Sequence, residues 1–115
     1  MRSGSYGSVR IFYPRFNRAQ LVARIAERLP QLQQELPLKR VVLFGSYAKG
    51  NSTVASDVDL LVVYEDPKRE DDYKPVKSIL DIPRLEPHVY SQSEYERSKT
   101  TIERMIAGGI VLVEA

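Results

Sequence analysis

Apolar residues in the first third of the chain recur at helical spacing behind a capping residue. Asn17 is a good N-cap, so we predict a helix from there to about Leu29 or slightly beyond. Pro30 falls inside the pattern and Pro37 closes the segment, so we expect the helix to kink or end near Pro30. The predicted apolar face consists of Leu21, Val22, Ile25, Ala26, Leu29 and Leu32.

Two continuous apolar runs follow and predict buried strands on either side of a polar loop. The first predicted strand covers residues 39–44, with its apolar run at 41–44, and the second covers residues 57–64, which opens with two acids and has its apolar run at 60–63. Runs of this kind are typical of strands that are covered on both faces. Between them, Gly45-Ser46 turns the chain, residues 47–49 can form a short helical turn, and residues 50–56 read as a mostly polar loop.

The second half of the chain alternates weaker helices and strands. Residues 65–72 are highly charged and predict a solvated connection, and a short helix with Pro75 in its first turn follows. Residues 86–90 predict a strand that its proline places at an edge or a strand start. Ser91 and Glu94 form a capping box, and the helix behind it is ended by Gly108 and Gly109 before a last strand at 110–113. The apolar face of that helix would carry Tyr95, Ile102, Met105 and Ile106.

This order of elements predicts a small α/β sandwich of the α+β kind, a mixed sheet with helices packed mainly on one face. The 115 residues indicate one compact domain. We expect residues 17–115 to form that domain and residues 1–16 to form an N-terminal arm. Within the arm, residues 9–13 could be a short edge strand or a packed segment.

Composition narrows the class of protein further. The chain is 43% hydrophobic and 28% charged, with a net charge of +2, which is ordinary for a globular domain and argues against extensive nucleic-acid contact. Cysteine is absent, which excludes disulfides, thiolate zinc sites and a cysteine nucleophile. No apolar run is long enough to span a membrane and the start lacks a signal-peptide core, so we expect a cytoplasmic protein.

Candidate chemistry concentrates where the two strong strands meet. Asp57 and Asp59 would point to one face of a strand, where two adjacent carboxylates repel each other unless a cation lies between them. Mg²⁺ is a natural candidate because it prefers oxygen ligands. Gly45 allows close backbone approach to a phosphate, Ser46 adds a hydroxyl and a backbone N–H, and Lys49 could neutralise phosphate charge.

These residues resemble a known family. Residues 45–50, Gly-Ser-Tyr-Ala-Lys-Gly, followed by Ser-Asp-Val-Asp-Leu-Leu-Val at 56–62, are similar to the Gly-Ser…Asp-x-Asp motif of DNA polymerase beta-like nucleotidyltransferases, closest to their minimal single-domain branch. The likeness extends over roughly residues 17–113 and includes the strand exit and capped helix at 90–95. It implies a mixed sheet flanked by helices. It also implies transfer of a nucleoside monophosphate, AMP from ATP being the expected case, to an acceptor hydroxyl with release of pyrophosphate.

The resemblance also implies roles for individual residues. Asp57 and Asp59 would bind Mg²⁺, and Gly45 and Ser46 would hold the β- and γ-phosphates of the nucleoside triphosphate. The family adds a third carboxylate, an Asp about where Glu86 stands. Glu86 is one methylene longer, and His88 on the same strand face is an alternative. If neither reaches the metals, the site would bind nucleotide and catalyse poorly.

Three functions remain open at this point. By resemblance, minimal members are often encoded beside a small helical HEPN-domain protein and act as antitoxins that adenylylate it. The alternative is an interaction module that binds nucleotide and covers a partner without turnover. Nucleotide addition to RNA or to a small molecule such as an aminoglycoside is a third reading, for which the chain is short. A homodimer formed through edge strands and exposed tyrosines is also possible.

Overall fold

The computed structural model describes residues 16–53 and 56–115 of the chain. The predicted arm of residues 1–16, including the segment 9–13, lies outside the described residues except for Phe16. The helices of the described part are α1 (Arg18–Glu35), α2 (Ser46–Lys49), α3 (Tyr73–Leu80), α4 (Gln92–Arg97) and α5 (Lys99–Met105). Its strands are β1 (Leu38–Phe44), β2 (Val58–Tyr64), β3 (Leu85–Ser91) and β4 (Ile110–Glu114).

The strands form a mixed sheet in the order β3-β2-β1-β4. β1 pairs antiparallel with both β2 and β4, whereas β2 and β3 run parallel. The mixed sheet is therefore confirmed. Among the described strands β3 lies at an edge, as its proline predicts, with Pro87 opposite Leu60 of the neighbouring strand.

The two faces of the sheet are both covered, which explains why the two central strands are apolar at most positions, the exceptions being Lys39 and Arg40 in β1 and Asp59 in β2. Leu60 and Val62 belong to the cluster under α1 and α3, while Leu61 and Val63 belong to a smaller cluster under α4 and α5. Successive side chains of a strand point to opposite faces, so a strand buried on both faces must be apolar at every position. The predicted α+β fold is confirmed: the larger cluster lies under α1 and α3, and α4 and α5 cover part of the other face.

Helix α1 continues through Pro30 to Glu35, so of the two outcomes predicted at Pro30, a kink or an end, the end is wrong. Pro30 is exposed on the outer side of the helix, whereas Leu32 and Leu36 beyond it are only 0% and 1% exposed. A proline inside a helix costs about 3 kcal/mol. Burying two leucines stabilises by roughly 1.5–3 kcal/mol each, which offsets that cost. The N-terminus begins as predicted, with Asn17 and Gln20 forming a capping box.

Amphipathic character distinguishes α1 from a membrane helix even though it has 18 residues. Its buried positions are Leu21, Ile25 and Leu32, and polar side chains occupy much of the rest of its surface. Within residues 16–53 and 56–115, no helix is long and apolar enough to cross a bilayer.

The helix predicted behind Ser91 is divided into α4 and α5 at Ser98. Ser98 has φ −120° and ψ 22°, outside helical values, and its N–H bonds back to the carbonyl of Tyr95. The capping box of Ser91 and Glu94 is confirmed. Tyr95, Ile102 and the other residues predicted for the apolar face all pack into the smaller cluster, so the apolar pattern was correct and the single helix was not.

The charged connection at 65–72 is solvated except at its end. Asp72 is only 6% exposed, which contradicts the prediction for that residue. Its carboxylate accepts a hydrogen bond of 2.7 Å from the Tyr64 hydroxyl and one of 2.8 Å from the Lys68 ammonium. Nζ of Lys68 also lies 3.2 Å from Oε1 of Glu94 in α4. The buried carboxylate of Asp72 is therefore paired with Lys68, and Lys68 in turn links the connection to α4.

Candidate functional site

The candidate site lies where β1 ends and β2 begins. These strands are antiparallel, so the last residue of β1, Phe44, is the register partner of Asp59 near the start of β2. Gly45 and Ser46 leave the sheet beside Asp59 as a result. The Gly-Ser turn and the Asp-x-Asp segment, 12 positions apart in sequence from Gly45 to Asp57, are thus brought together by strand pairing.

Gly45 is in direct apposition to Asp59. Its backbone has φ 80° and ψ −155°, a conformation that is essentially restricted to glycine. A Cβ at Gly45 would lie 2.4 Å from Oδ2 of Asp59, far inside van der Waals contact. Both the backbone conformation and the space therefore require glycine here. α2 starts at the next residue, Ser46, and its first turn is closed by the Lys49 N–H, which donates to the Gly45 carbonyl at 3.1 Å.

Asp59 is fixed by the sheet on both sides. It pairs with Phe44 of β1 and with Glu86 of β3. Its side chain is 31% exposed, and its Oδ1 lies 3.6 Å from Nε2 of His88. That separation is longer than a hydrogen bond. The His88 ring packs at 5.1 Å from the Phe44 ring, and in the described part of the chain its buried Nε2 has no hydrogen-bond partner.

Asp57 has a different environment from Asp59. Asp57 directly precedes β2, which begins at Val58. Its side chain is 51% exposed, and its Oδ1 forms an ion pair of 3.1 Å with Nη2 of Arg84. Arg84 comes from the connection between α3 and β3. No motif in the sequence marks this residue, so it is not among the predicted site residues.

Glu86 stands beside Asp59 in the register of the two parallel strands. Residues paired in this way present their side chains to the same face of the sheet, so Glu86, His88 and Asp59 share one face. Glu86 is exposed, whereas His88 is half-buried. The register agrees with the expected position of a third carboxylate. The role of Glu86, and the choice between it and His88, stay predictions.

The donor set fits a hard divalent cation in its chemistry but is not gathered into one cage. Carboxylate oxygens are the ligands that Mg²⁺ prefers, and Asp57, Asp59 and Glu86 supply them at one edge of the sheet. Among residues 16–53 and 56–115, however, no three acidic or histidine side chains lie close enough together to hold one metal ion. Asp57 is paired with Arg84, so a metal ion held by Asp57 and Asp59 would have to compete with this guanidinium.

The remaining predicted ligands lie on α2. Ser46 begins this helix and is half-buried, and Lys49 ends it with an exposed side chain. α2 is held to α1 because Nη1 of Arg18 donates to the Ala48 carbonyl at 2.9 Å. The turn that would hold phosphates is therefore anchored at both ends, by β1 and by α1. Phosphate binding by Ser46 and Lys49 stays a prediction.

Comparison with known protein families identifies the class. Residues 22–110, more than half of the chain, match the family described as nucleotidyltransferase domain. The chain therefore belongs to the nucleotidyltransferase domain family. A comparison with curated proteins found no match.

Solved structures with the same fold include a candidate nucleotidyltransferase from Sulfolobus solfataricus. It is 20% identical with a TM-score of 0.57, and the alignment covers 83% of this chain and 81% of that one. A toxin–antitoxin complex with AMP-PNP matches at 20% identity and a TM-score of 0.55, with 78% of this chain and 73% of that chain covered. A mutant of the toxin–antitoxin pair MntA–HpeT matches at 18% identity and a TM-score of 0.53, with the same coverage of 78% and 73%. These likenesses show the fold.

Proposed function

We propose that this protein is a Mg²⁺-dependent nucleotidyltransferase that moves AMP from ATP onto a hydroxyl of a partner protein, a small helical protein of the HEPN class. Residues 17–115 would form the single catalytic domain. Family membership supports nucleotidyl transfer, and one of the structures with this fold is a toxin–antitoxin complex with AMP-PNP. The nucleotide, the metal, the partner and the residue roles are the parts that we propose.

The observation that carries the proposal is the apposition of Gly45 and Asp59. A phosphate-binding turn and a metal-binding carboxylate must be close together, because a metal ion bridges the carboxylate and the substrate phosphates. In this chain the two are so close that a single added carbon at Gly45 would lie 2.4 Å from the carboxylate oxygen of Asp59. A turn with only a structural role would not need to press against an acidic side chain.

The proposed chemistry assigns one task to each group. Gly45 and Ser46 hold the β- and γ-phosphates, and Lys49 offsets their charge. Asp57 and Asp59 hold Mg²⁺, which supplies charge neutralisation at the phosphates when bound. Glu86 accepts the proton of the acceptor hydroxyl, whose oxygen attacks the α-phosphorus in line. Pyrophosphate leaves, and positioning and electrostatics supply most of the rate.

The test is transfer of label from ATP to the co-purified partner. Label on the α-phosphate should reach the partner and label on the γ-phosphate should not, since AMP is transferred and pyrophosphate leaves. Asp59→Asn should lower transfer by about 100-fold or more, as removal of one preorganised charged group does. Asp71→Asn, at an exposed position of the 65–72 connection, is the matched control and should leave transfer unchanged. Full transfer by Asp59→Asn would refute the proposal.

A second candidate function is an antitoxin-like module that binds nucleotide and its partner with little turnover. The ion pair of Asp57 with Arg84 and the exposed position of Glu86 favour it, because the three carboxylates are not gathered at one point. The same assay separates the two functions. A stable complex with the partner and bound ATP, without labelling of the partner, would support the module. Transfer that depends on Asp59 would support the enzyme.

A further inference from the structure

The connection between α3 and β3 contains two residues in a backbone conformation that favours glycine. Asp81 has φ 49° and Arg84 has φ 62°, although neither is glycine. The left-handed region is unfavourable for residues with a Cβ, so contacts must hold such a residue there. Asp81 is the C-cap of α3, a position where this conformation is common. Arg84 has a different reason.

Arg84 contacts three consecutive residues, Ser56 and the first two residues of the Asp-x-Asp segment. Its Nε donates to the Ser56 carbonyl at 3.3 Å, its Nη2 pairs with Asp57 Oδ1 at 3.1 Å, and its own carbonyl accepts from the Val58 N–H at 2.9 Å. The backbone contact fixes where β2 begins. The two side-chain contacts place a guanidinium on the carboxylate of Asp57.

That guanidinium pairs with one oxygen, Oδ1, of a carboxylate that the proposed function assigns to the metal. A Mg²⁺ ligand oxygen lies about 2.0–2.1 Å from the ion. Two cations that share one carboxylate at such distances repel each other, because unit charges about 4 Å apart interact strongly even near a protein surface. Mg²⁺ at Asp57 would therefore compete with the Arg84 side chain for this carboxylate.

We propose that Arg84 is the resident counter-cation of Asp57: it neutralises this carboxylate in the metal-free protein, and a divalent cation must compete with it. Arg84 thus acts through Asp57, as a positioning residue that lowers the affinity for a free divalent cation. This inference rests on the proposed metal site at Asp57 and Asp59. Both side chains are about half exposed, 53% for Arg84 and 51% for Asp57. Exposed pairs are modest in strength, so the effect on metal affinity should be about two- to fivefold.

The test measures Mn²⁺ affinity without nucleotide, from the electron paramagnetic resonance signal of free Mn²⁺ at about 0.15 M salt, where charges beyond roughly 8 Å are largely screened. Arg84→Gly removes the side chain and suits the positive φ, so the backbone contact with Val58 is retained. We expect it to bind Mn²⁺ about two- to fivefold more tightly. Asp81→Gly, the other residue of this connection with positive φ, is the matched control for glycine and should bind no more tightly than the natural sequence.

Arg84→Lys keeps the positive charge and also the backbone strain of a residue with a Cβ at positive φ. Its affinity for Mn²⁺ should therefore be close to that of the natural sequence. A structural role for Arg84 predicts the opposite result for Arg84→Gly, because loosening residues 56–58 would weaken Mn²⁺ binding. Unchanged or weaker binding by Arg84→Gly would overturn the proposal, and so would binding by Arg84→Lys as tight as that of Arg84→Gly.

Asp59→Asn distinguishes failure of this inference from failure of the proposed function. If Asp59→Asn binds Mn²⁺ as well as the natural sequence does, or if the natural sequence binds none, the metal site itself is wrong and both proposals fall. If Mn²⁺ binding depends on Asp59 and Arg84→Gly is no tighter, only the role of Arg84 is wrong.

Discussion

Replacing Gly45 by alanine tests the geometry of the site at its narrowest point. The change adds one carbon atom and no charge. That atom would lie 2.4 Å from Asp59 Oδ2, where ordinary contact begins at 3.4 Å. The carboxylate oxygen or the turn must therefore move by about 1 Å, the difference between the two distances.

Two costs follow, and they appear in different measurements. The backbone of Gly45, at φ 80° and ψ −155°, lies in a region that costs a residue with a Cβ about 1–3 kcal/mol, so the free energy of unfolding should fall by that amount. The displacement acts on function. A misplacement of about 1 Å at a reacting site can lower the rate roughly 100-fold, so transfer should fall by about that factor.

Gly108→Ala is the matched control, because Gly108 also has a positive φ, 81°, and nothing lies within 4 Å of an added Cβ. Urea unfolding measures stability, and Mn²⁺ affinity and label transfer measure the site. We expect both variants to lose stability and only Gly45→Ala to lose metal affinity and transfer. If Gly45→Ala keeps them, or if Gly108→Ala loses them equally, the apposition of Gly45 and Asp59 does not govern the site.

Two further predictions concern the scaffold. Leu32→Ala should lower the free energy of unfolding by about 2–5 kcal/mol, because Leu32 is fully buried beyond Pro30. Gln34→Ala, at an exposed position, is the control and should change that free energy little. If urea unfolding shows equally small losses for both variants, the helix is not packed past Pro30. Hydrogen bonds from the Ser93 hydroxyl and N–H lower the pKa of Asp66 below 3.8, so this contact contributes stability above that pH and loses it as pH falls through the lowered value. Ser93→Ala should move the Asp66 pKa, measured by carboxyl chemical shift, back up towards its usual value, and an unchanged pKa would contradict the contact.

The order of the elements could be predicted from sequence because each apolar run must be buried, and its spacing shows whether it is buried as a strand or as a helix. The continuous apolar run of β2 at residues 60–63 needs cover on both faces, and the helices on each side of the sheet supply it. The end of α1 could not be predicted, since the helix continues past Pro30 only because the burial of Leu32 and Leu36 offsets the cost of the proline. The burial of Asp72 could not be predicted either, because the Tyr64 hydroxyl that pairs with its carboxylate comes from the preceding strand.

The candidate site was predictable where chemistry repeats a known pattern and not where packing decides. Gly45, Ser46, Asp57 and Asp59 stand out by type and spacing, and antiparallel pairing brings the turn to Asp59. Arg84 has no such signal. It reaches Asp57 because the parallel strand β3 starts beside β2 and because the backbone at Arg84 adopts a positive φ, and neither property is visible in the residue or its neighbours.

The two aspartates of the motif are therefore not equivalent. Asp59 lies within a central strand, between Phe44 and Glu86, and strand pairing places it beside Gly45. Asp57 lies outside the strand, and a surface ion pair, a weak interaction, orients it. Half of the proposed metal site would then be preorganised, and half would be adjustable at low cost. Substitution of Asp59 should accordingly abolish metal binding. The contribution of Asp57 to metal affinity should instead depend on whether Arg84 is present.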